Sequence, residues 1–258
     1  MSQYLFSKNT NDSELKRLQL IEEAINPLSF AFLDTIDFQD HWRALDLGCG
    51  AGGVSEAIYE QLSENGTLVS LDRECKYMQG SLGENHQVLE ADFIEVDFAE
   101  GFDLIFCRYT LIHNTNSQAM LEKMYSLLRE GGVLIVQEPD FSSPRHLSRN
   151  YSDAFDRVNL SIEKMFRSRG MFADYGLHLA TNLAKAGFTI EDLDLTAHLV
   201  NGQTATAELM AESAKALAWH YKESGNCTDE DLAEYIALTE DEKTWLCYYS
   251  TCSVVAKK

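Results

Sequence analysis

Short apolar runs alternate with segments of helical periodicity along the first half of the chain. A helix is predicted over residues 13–33, with Ser13 as its N-cap, because apolar side chains recur there at intervals of three and four. Five apolar runs of strand length follow: RALDL, GTLVSLD, HQVLEAD, FDLIFCR and GVLIVQE. Between them lie helical segments: GVSEAIYEQL, RECKYMQGSL and SQAMLEKMYSLL, the last predicted to end at the glycines of REGG. This alternation is typical of a parallel sheet covered by helices, with the mainly apolar FDLIFCR as a central strand.

After Pro139 the alternation gives way to longer helical segments. Helices are predicted in RNYSDAFDRVNLSIEKMFRSR, GLHLATNLAKAGF, TAELMAESAKALAWHYKE and DEDLAEYIAL, with Gly187 ending the second of them. Two late strands are predicted from TIEDLDLTAHLV and from the closing CYYSTCSVVAKK, which is rich in β-branched and aromatic residues. The sequence therefore predicts an α/β fold with helical insertions near the carboxyl edge of a parallel sheet.

Composition allows one large α/β domain, since the chain has 258 residues and an apolar content of 45%. The charge is unusual, because 41 acidic residues against 21 basic ones give a formal net charge of −20. Such a chain repels the phosphates of nucleic acids and the anionic faces of membranes. We therefore expect neither nucleic acid nor a membrane as a partner.

The six cysteines include no C-x-x-C pair, and several lie in apolar runs. Buried reduced thiols explain them better than disulfides or a metal centre, so no metal is expected. The N-terminal residues lack the apolar segment of a signal peptide, and no apolar run approaches the ~20 residues that cross a bilayer. The sequence thus predicts a cytoplasmic location without membrane insertion.

The stretch LDLGCGAGG, residues 45–53, contains the spacing G-x-G-x-x-G directly after the first apolar run. Glycines at this place let the backbone turn sharply, and the following helix offers its N-terminus to negative charge. Asp46 discriminates between two ligand classes, because its carboxylate would repel the pyrophosphate of a dinucleotide but attract the α-ammonium group of adenosylmethionine. The D-x-G-x-G pattern therefore fits S-adenosyl-L-methionine better than NAD.

Two further acids follow the second and third apolar runs. Asp72 in VSLD stands at about the spacing where an acid accepts hydrogen bonds from a ribose, which both cofactors contain. Asp92 in EADF can accept from an adenine amino group, with Phe93 as an apolar edge to the ring, or can cap a helix. Because Asp92 continues the series begun by Asp46 and Asp72, we interpret it as part of the same site.

These segments together resemble class I S-adenosylmethionine-dependent methyltransferases. LDLGCGAGG, SLD, EADF, FDLIFCRYTLIH and LLREGGVLIVQEPD occur in the order and spacing of that family, over residues 43–140. The similarity is greatest to bacterial small-molecule methyltransferases of the ubiquinone/menaquinone-biosynthesis type (types 11 and 12). The resemblance implies a Rossmann-like fold, whose seven-stranded sheet has the order 3-2-1-4-5-7-6, with strand 7 antiparallel and helices on both faces.

The resemblance also implies a cofactor site built from several loops. Its methionine end would contact the glycine-loop residues Asp46, Gly48, Cys49, Gly50 and Gly53. The adenosine would contact Asp72 at its ribose, Arg73 and Met78 at its flanks, and Asp92 and Phe93 at the adenine. Arg108 would lie beneath the cofactor, and Tyr4 would fold over it from an N-terminal helical lid of residues 1–40. The product of the reaction would be S-adenosyl-L-homocysteine.

Methyl transfer from a sulfonium is an in-line displacement with a neutral leaving group, so positioning of the acceptor supplies much of the catalysis. A general base is needed only if the acceptor must lose a proton. Because ligands bind beyond the carboxyl ends of strands in such sheets, the acceptor-side candidates are Arg108, Tyr109, His113, Glu138 and Asp140. His113 is either a base or a structural histidine, while Glu138 and Asp140 either orient an amine or cap the next helix.

Two helical insertions, residues 142–171 and 201–242, are predicted to cover the substrate side of a single domain spanning residues 1–258. Aromatic side chains in and near them, Phe155 and Tyr175 among them, could line a partly apolar acceptor pocket. Their helical spacing equally fits core contacts or a dimer surface, so a homodimer is a further expectation.

The main hypothesis is a methyltransferase (EC 2.1.1) acting on an oxygen, nitrogen or carbon atom of a small molecule. One alternative is a regulatory protein that binds the cofactor without turnover, since the acids and glycines of the loop argue for binding only. Another is an NAD-dependent oxidoreductase, but Asp46 and the REGG segment make this alternative less favoured. A nucleic-acid or protein methyltransferase is disfavoured by the acidic charge and by CRYTLIH, which stands where an N-P-P-Y-like signature would be expected.

Overall fold

The computed structural model describes residues 5–6, 10–147 and 153–258. Its helices are α1 (Asn11–Leu33), α2 (Gly53–Gln61), α3 (Ser117–Leu127), α4 (Ala154–Ser168), α5 (Tyr175–Lys185), α6 (Ala205–Glu223) and α7 (Asp229–Leu238). Its strands are β1 (Arg43–Leu47), β2 (Thr67–Asp72), β3 (His86–Glu90), β4 (Phe102–Arg108), β5 (Leu128–Asp140), β6 (Arg145–His146), β7 (Thr189–Asn201) and β8 (Trp245–Lys257). Among these described helices, none is long and apolar enough to cross a membrane.

The strands form one sheet in the order β3-β2-β1-β4-β5-β8-β6, and β7 pairs with β8. Strands β1 to β5 pair in parallel, whereas β6 runs antiparallel to β8. If the two-residue β6 is set aside, β7 and β8 are the two late strands of the expected order. The predicted Rossmann-like α/β fold is therefore confirmed, with β6 as an additional short strand.

Strand β4 lies between β1 and β5, as its mainly apolar sequence predicts. Five of its side chains are almost completely buried: Phe102, Leu104, Ile105, Phe106 and Cys107. One hydrophobic cluster joins β1, β2, β4 and β5 to α2 and to the end of α1. Because this packing fixes the strands, their carboxyl ends form a rigid edge from which the site loops start.

Two compact units divide the chain. The sheet unit consists of residues 25–138, 178–194 and 252–258, and it contains β1 to β4 with α2 and α3. The helical unit consists of residues 1–24, 139–177 and 195–251, and within it α4, α6 and α7 pack on one another. The predicted insertions 142–171 and 201–242 fall in the helical unit, and their role over a substrate stays a prediction.

Two helix predictions were wrong in the first hundred residues. The segment RECKYMQGSL forms only a single 3-10 turn, Cys75–Tyr77, and Gly80 adopts a left-handed φ of 92° that no helix continues through. Helix α1 begins at Asn11, and the side chain of Thr10, rather than Ser13, accepts the N–H of Ser13 at 3.3 Å. Thr10 therefore satisfies one of the backbone donors at the start of this helix.

The sequence predicts that the glycines of REGG end α3, and this prediction is wrong. The helix ends at Leu127, and the N–H of Leu128 donates to Met124, so that β5 begins at Leu128 and includes both glycines. A Cβ on Gly132 would lie 2.8 Å from the carbonyl oxygen of Arg129, so this glycine permits a close backbone approach within the strand. The glycine stop predicted at Gly187 is confirmed, since its φ is 105°.

Candidate functional site

The loop after β1 turns through three glycines in left-handed conformations. Gly48, Gly50 and Gly52 have φ angles of 79°, 56° and 103°. Gly48 donates its N–H to the carbonyl oxygen of Leu71 at 2.7 Å, which attaches the loop to the end of β2. A Cβ atom on Gly48 would collide with Oγ1 of Thr110. Both the conformation and the space at this position therefore require glycine.

Helix α2 begins at Gly53, directly behind the loop. Gly52 occupies its N-cap position and supplies no side-chain acceptor to the backbone donors of the first turn. Cys49 is buried within the loop, and this burial raises the pKa of its thiol far above the usual range. The thiol is therefore neutral, and the loop carries no negative charge of its own.

Two of the predicted acids lie beside this loop. Asp46 is only 2% exposed, and its Oδ2 accepts a hydrogen bond from Oγ of Ser55 at 2.6 Å. At the end of β2, Asp72 accepts the N–H of Gly50 at 3.1 Å and the N–H of Glu74 at 3.1 Å. Burial raises the pKa of Asp72, although its backbone donors oppose this effect. The structure thus brings Asp46, the glycine loop and Asp72 together at one edge of the sheet.

The third predicted acid is joined to Arg73. Nη2 of Arg73 donates to Oδ2 of Asp92 at 3.0 Å and to Oδ1 of Asn114 at 3.0 Å. Oδ1 of Asp92 accepts the N–H of Ile94 at 3.0 Å, so Asp92 also caps the following 3-10 turn. Both interpretations of Asp92, helix cap and ligand acceptor, remain compatible with this geometry because each carboxylate oxygen accepts more than one hydrogen bond.

Two apolar side chains accompany these polar groups. Phe93 is buried, and Nζ of Lys123 lies 5.1 Å from the centre of its ring. Met78 is buried as well, and a Cβ on Gly52 would lie 3.2 Å from its Cγ. Met78 therefore packs directly against the glycine loop.

Arg108 stands at the carboxyl end of β4 and is fixed to α1. Its Nη1 donates to Oδ1 of Asn26 at 2.7 Å and to Oγ of Ser29 at 2.9 Å. The hydroxyl of Ser29 in turn donates to Oε1 of Gln137 at 2.5 Å. These two hydrogen bonds fix the position of the guanidinium group at the carboxyl end of β4.

A tight turn follows β4 and contains Tyr109 and His113. Tyr109 has a left-handed φ of 52°, rare for a residue with a side chain, and donates its N–H to the carbonyl oxygen of Gln137 at 2.9 Å. The 3-10 turn Leu111–His113 comes next. Glu138, at the end of β5, lies beneath this turn and holds it in place.

Glu138 is completely buried and accepts three backbone N–H groups. Its Oε1 accepts those of Thr110 at 2.9 Å and Leu111 at 2.7 Å, and its Oε2 accepts that of Ile112 at 3.0 Å. Burial raises the pKa of Glu138 to about 8, and the three donors oppose that rise. Glu138 therefore caps a turn that precedes it in the chain rather than the next helix, and a role for it in orienting an amine stays a prediction.

Three predicted substrate residues belong to the helical unit. Asp140 is buried, and it accepts hydrogen bonds from the side chains of Ser142 and Ser143, each at 2.6 Å. Phe155 is fully buried and packs in a cluster with the aromatic rings of Tyr235 and Tyr248. Tyr175 is buried too. These placements are those of structural side chains, and a substrate role for them stays a prediction.

Tyr4 lies outside the described residues. Within the described part of the chain, no group of three or more His, Cys, Asp or Glu side chains could hold a metal ion. Four polar residues at the site were not predicted from the sequence. Thr110 leaves no room for a side chain at position 48. The other three, Ser55, Ser70 and His86, form a series of hydrogen bonds that ends at Asp46. Each is an ordinary residue in the sequence, and only the packing of β1 to β4 brings them to the loop.

The donor set fits S-adenosyl-L-methionine. A buried carboxylate lies at the base of a loop whose first glycine admits no side chain, and a second acid lies at the end of the neighbouring strand. The loop backbone and the start of α2 provide N–H donors for a carboxylate, and Asp46 provides negative charge for an ammonium group. A pyrophosphate would face the same negative charge.

A model of a known protein family matches this chain over more than half of its length. The model described as a methyltransferase domain matches residues 38–215. A trans-aconitate 2-methyltransferase of Rhizobium rhizogenes is 31% identical over 131 residues, which cover 46% of this chain and 50% of that protein. A carboxy-S-adenosyl-L-methionine synthase of Helicobacter hepaticus is 28% identical over 120 residues, covering 43% of this chain and 50% of that protein. The chain thus spans about half the length of the curated relatives that it matches.

Solved structures share the fold at low sequence identity. Mycolic acid cyclopropane synthase CmaA1, complexed with S-adenosylhomocysteine and CTAB, has a TM-score of 0.62 at 16% identity, covering 100% of this chain and 99% of that one. Phosphoethanolamine N-methyltransferase 2 of Haemonchus contortus, in complex with phosphomonomethylethanolamine and S-adenosylhomocysteine, has a TM-score of 0.58 at 14% identity, covering 100% and 59%. The matched family model spans well over half of the chain, which therefore belongs to the class I S-adenosyl-L-methionine-dependent methyltransferases.

Proposed function

We propose that this chain transfers the methyl group of S-adenosyl-L-methionine to a small-molecule acceptor. One observation carries the proposal: the buried carboxylate of Asp46 directly precedes a loop in which Gly48 can accept no side chain. That combination favours a close-lying ligand with a cationic end. It argues against NAD, whose pyrophosphate would be repelled.

In this proposal, each chemical group of the cofactor lies against a residue that can bind it. Asp46 attracts the α-ammonium group, and the backbone N–H groups of the loop face the carboxylate of the same amino-acid moiety. Asp72 accepts from the ribose hydroxyls, for which its carboxylate keeps further acceptor positions beside the two backbone bonds. Asp92 and Phe93 lie at the adenine end. The bound cofactor supplies an electrophilic methyl group and a neutral leaving group.

On the acceptor side, Tyr109 and His113 are presented by the turn after β4. We assign Glu138 a positioning role here, because its carboxyl group accepts three backbone N–H groups of that turn. His113 is the candidate base for an acceptor that must lose a proton. Arg108 is fixed by Asn26 and Ser29 and contributes a positive charge that suits an anionic acceptor group.

The acceptor class is proposed from the relatives' names alone. They include an enzyme for trans-aconitate and others for (S)-coclaurine and phosphoethanolamine, which are all small molecules. A panel of carboxylic acids, amines and unsaturated lipids, offered with methyl-labelled S-adenosylmethionine, would identify the acceptor atom. Tight cofactor binding without transfer to any of these classes would favour the regulatory alternative instead.

Calorimetric binding of S-adenosylhomocysteine tests the cofactor assignment. We expect Asp46→Asn to weaken this binding roughly tenfold, because it removes a buried charge that faces the ammonium group. Asp37→Asn is the matched control, since Asp37 is an exposed aspartate of the same unit. Binding of NADH in place of S-adenosylhomocysteine by the unaltered protein would refute the proposed function.

A further inference from the structure

A continuous line of buried hydrogen bonds leads from Asp46 to the far side of β2. Ser55 donates to Asp46 at 2.6 Å, the hydroxyls of Ser55 and Ser70 lie 2.7 Å apart, and Ser70 lies 2.8 Å from Nε2 of His86. At the opposite edge of the imidazole ring, Nδ1 of His86 accepts the N–H of Leu82 at 2.9 Å. We call Ser55, Ser70 and His86 the polar line.

The direction of every bond in the polar line follows from its two ends. A backbone N–H can only donate, so Nδ1 of His86 carries no proton and Nε2 must carry it. Nε2 then donates to Ser70, which leaves the hydroxyl proton of Ser70 for Ser55. The carboxylate of Asp46 can only accept, so Ser55 directs its own proton to Asp46. All four bonds therefore point towards the carboxylate.

The polar line is buried and held by three strands and a helix. Ser55 and Ser70 are fully buried, and His86 is nearly so. Asp46 on β1 is the direct register partner of Ser70 on β2, while Ser55 comes from α2 and His86 from β3. Because such side chains have few alternative partners, the line leaves Ser55 a single orientation towards Asp46.

We propose that His86 is a positioning residue of the cofactor site, which orients the carboxylate of Asp46 through Ser70 and Ser55. The inference rests on the proposed function, in which Asp46 attracts the ammonium group of the cofactor. His86 touches no reacting atom. It acts because it determines which way the hydroxyl of Ser70 points, and thereby which proton reaches Asp46.

Two ligands separate this role from a general loosening of the sheet. S-adenosylhomocysteine contains the amino-acid moiety that Asp46 would hold, whereas 5′-methylthioadenosine has the same adenosine and thioether but lacks that moiety. We expect Ser70→Ala to weaken binding of S-adenosylhomocysteine about fivefold to tenfold and to leave binding of 5′-methylthioadenosine unchanged. Ser63→Ala is the matched control, since Ser63 donates to an exposed aspartate, Asp40, at 2.5 Å.

A second pair of variants tests the same role if Ser70→Ala does not fold. His86→Gln keeps an N–H donor for Ser70 and should retain most of the affinity, whereas His86→Leu removes the donor and should reproduce the effect of Ser70→Ala. Equal losses for both ligands, or no loss for either, would overturn the positioning role while leaving the proposed function intact. If the unaltered protein binds neither ligand, the proposed function and this inference both fail.

Discussion

Glu138 is a carboxyl group that the protein encloses completely and yet supplies with three backbone donors. Its pKa rises from the ordinary value of 4.5 to about 8, since desolvation outweighs those donors. The folded state therefore binds the proton more tightly than the unfolded state between these two values. The stabilising contribution of the group is complete below about pH 4.5 and is lost as the pH rises through about 8.

We expect the free energy of unfolding to fall as the pH is raised from about 5 to 8. The slope contributed by one carboxyl group is at most about 1.4 kcal/mol per pH unit. Urea unfolding of the protein and of Glu138→Gln across this range measures it, and the variant should lack the Glu138 part of the slope. Glu130→Gln, at an exposed carboxyl, is the control. Parallel curves for the protein and Glu138→Gln would contradict the assignment.

The glycine loop is the element on which the cofactor site depends most directly. Gly48 and Gly131 have nearly the same left-handed φ, 79° and 78°, but only Gly48 faces an obstacle, since a Cβ on Gly131 would meet nothing within 4 Å. Substitutions at these two positions therefore distinguish the effect of backbone strain, which both share, from the effect of a steric collision, which only Gly48 has.

We expect Gly131→Ala to destabilise the protein by about 1 kcal/mol and to leave S-adenosylhomocysteine binding unchanged. Gly48→Ala should add the collision with Thr110, which moves the loop and weakens binding at least tenfold. Calorimetry and thermal unfolding measure the two effects. Partial recovery of binding in Gly48→Ala combined with Thr110→Ala would assign the loss to the collision, and equal binding by both single variants would contradict it.

At the level of elements, the period of apolar residues was sufficient to predict β1 to β5 and most helices. Two details were predicted wrongly. Thr10, three residues before Ser13, caps α1 by a local contact, and β5, which pairs with β4, continues through the glycines of REGG. In the site, the D-x-G-x-G pattern indicated Asp46 and the glycines. The contact of Glu138 with the turn after β4 was not among its two predicted roles, because residues distant in sequence must meet to form it.

At the scale of the whole molecule, the net charge of −20 determines how the fold responds to salt. Repulsion among the excess acidic groups destabilises the compact state, and ions screen this repulsion. We expect the Tm to rise by roughly 2–4 °C between about 0.01 and 0.3 M NaCl, equivalent to about 1 kcal/mol. Differential scanning calorimetry measures the shift, and KCl should reproduce it. A Tm that is constant or falls over this range would contradict the expectation.

The register of β1 against β2 places Ser70 opposite Asp46, with Val69 and Leu71 on either side of it. A slip of one residue during folding would set one of these aliphatic side chains opposite Asp46 and would remove the hydroxyl of Ser70 from Ser55, its hydrogen-bond partner. A buried hydroxyl group that lacks a hydrogen-bond partner destabilises the structure that contains it. The residues that orient Asp46 therefore also select the native strand pairing over its neighbours, so that a misaligned sheet is rejected before any ligand binds.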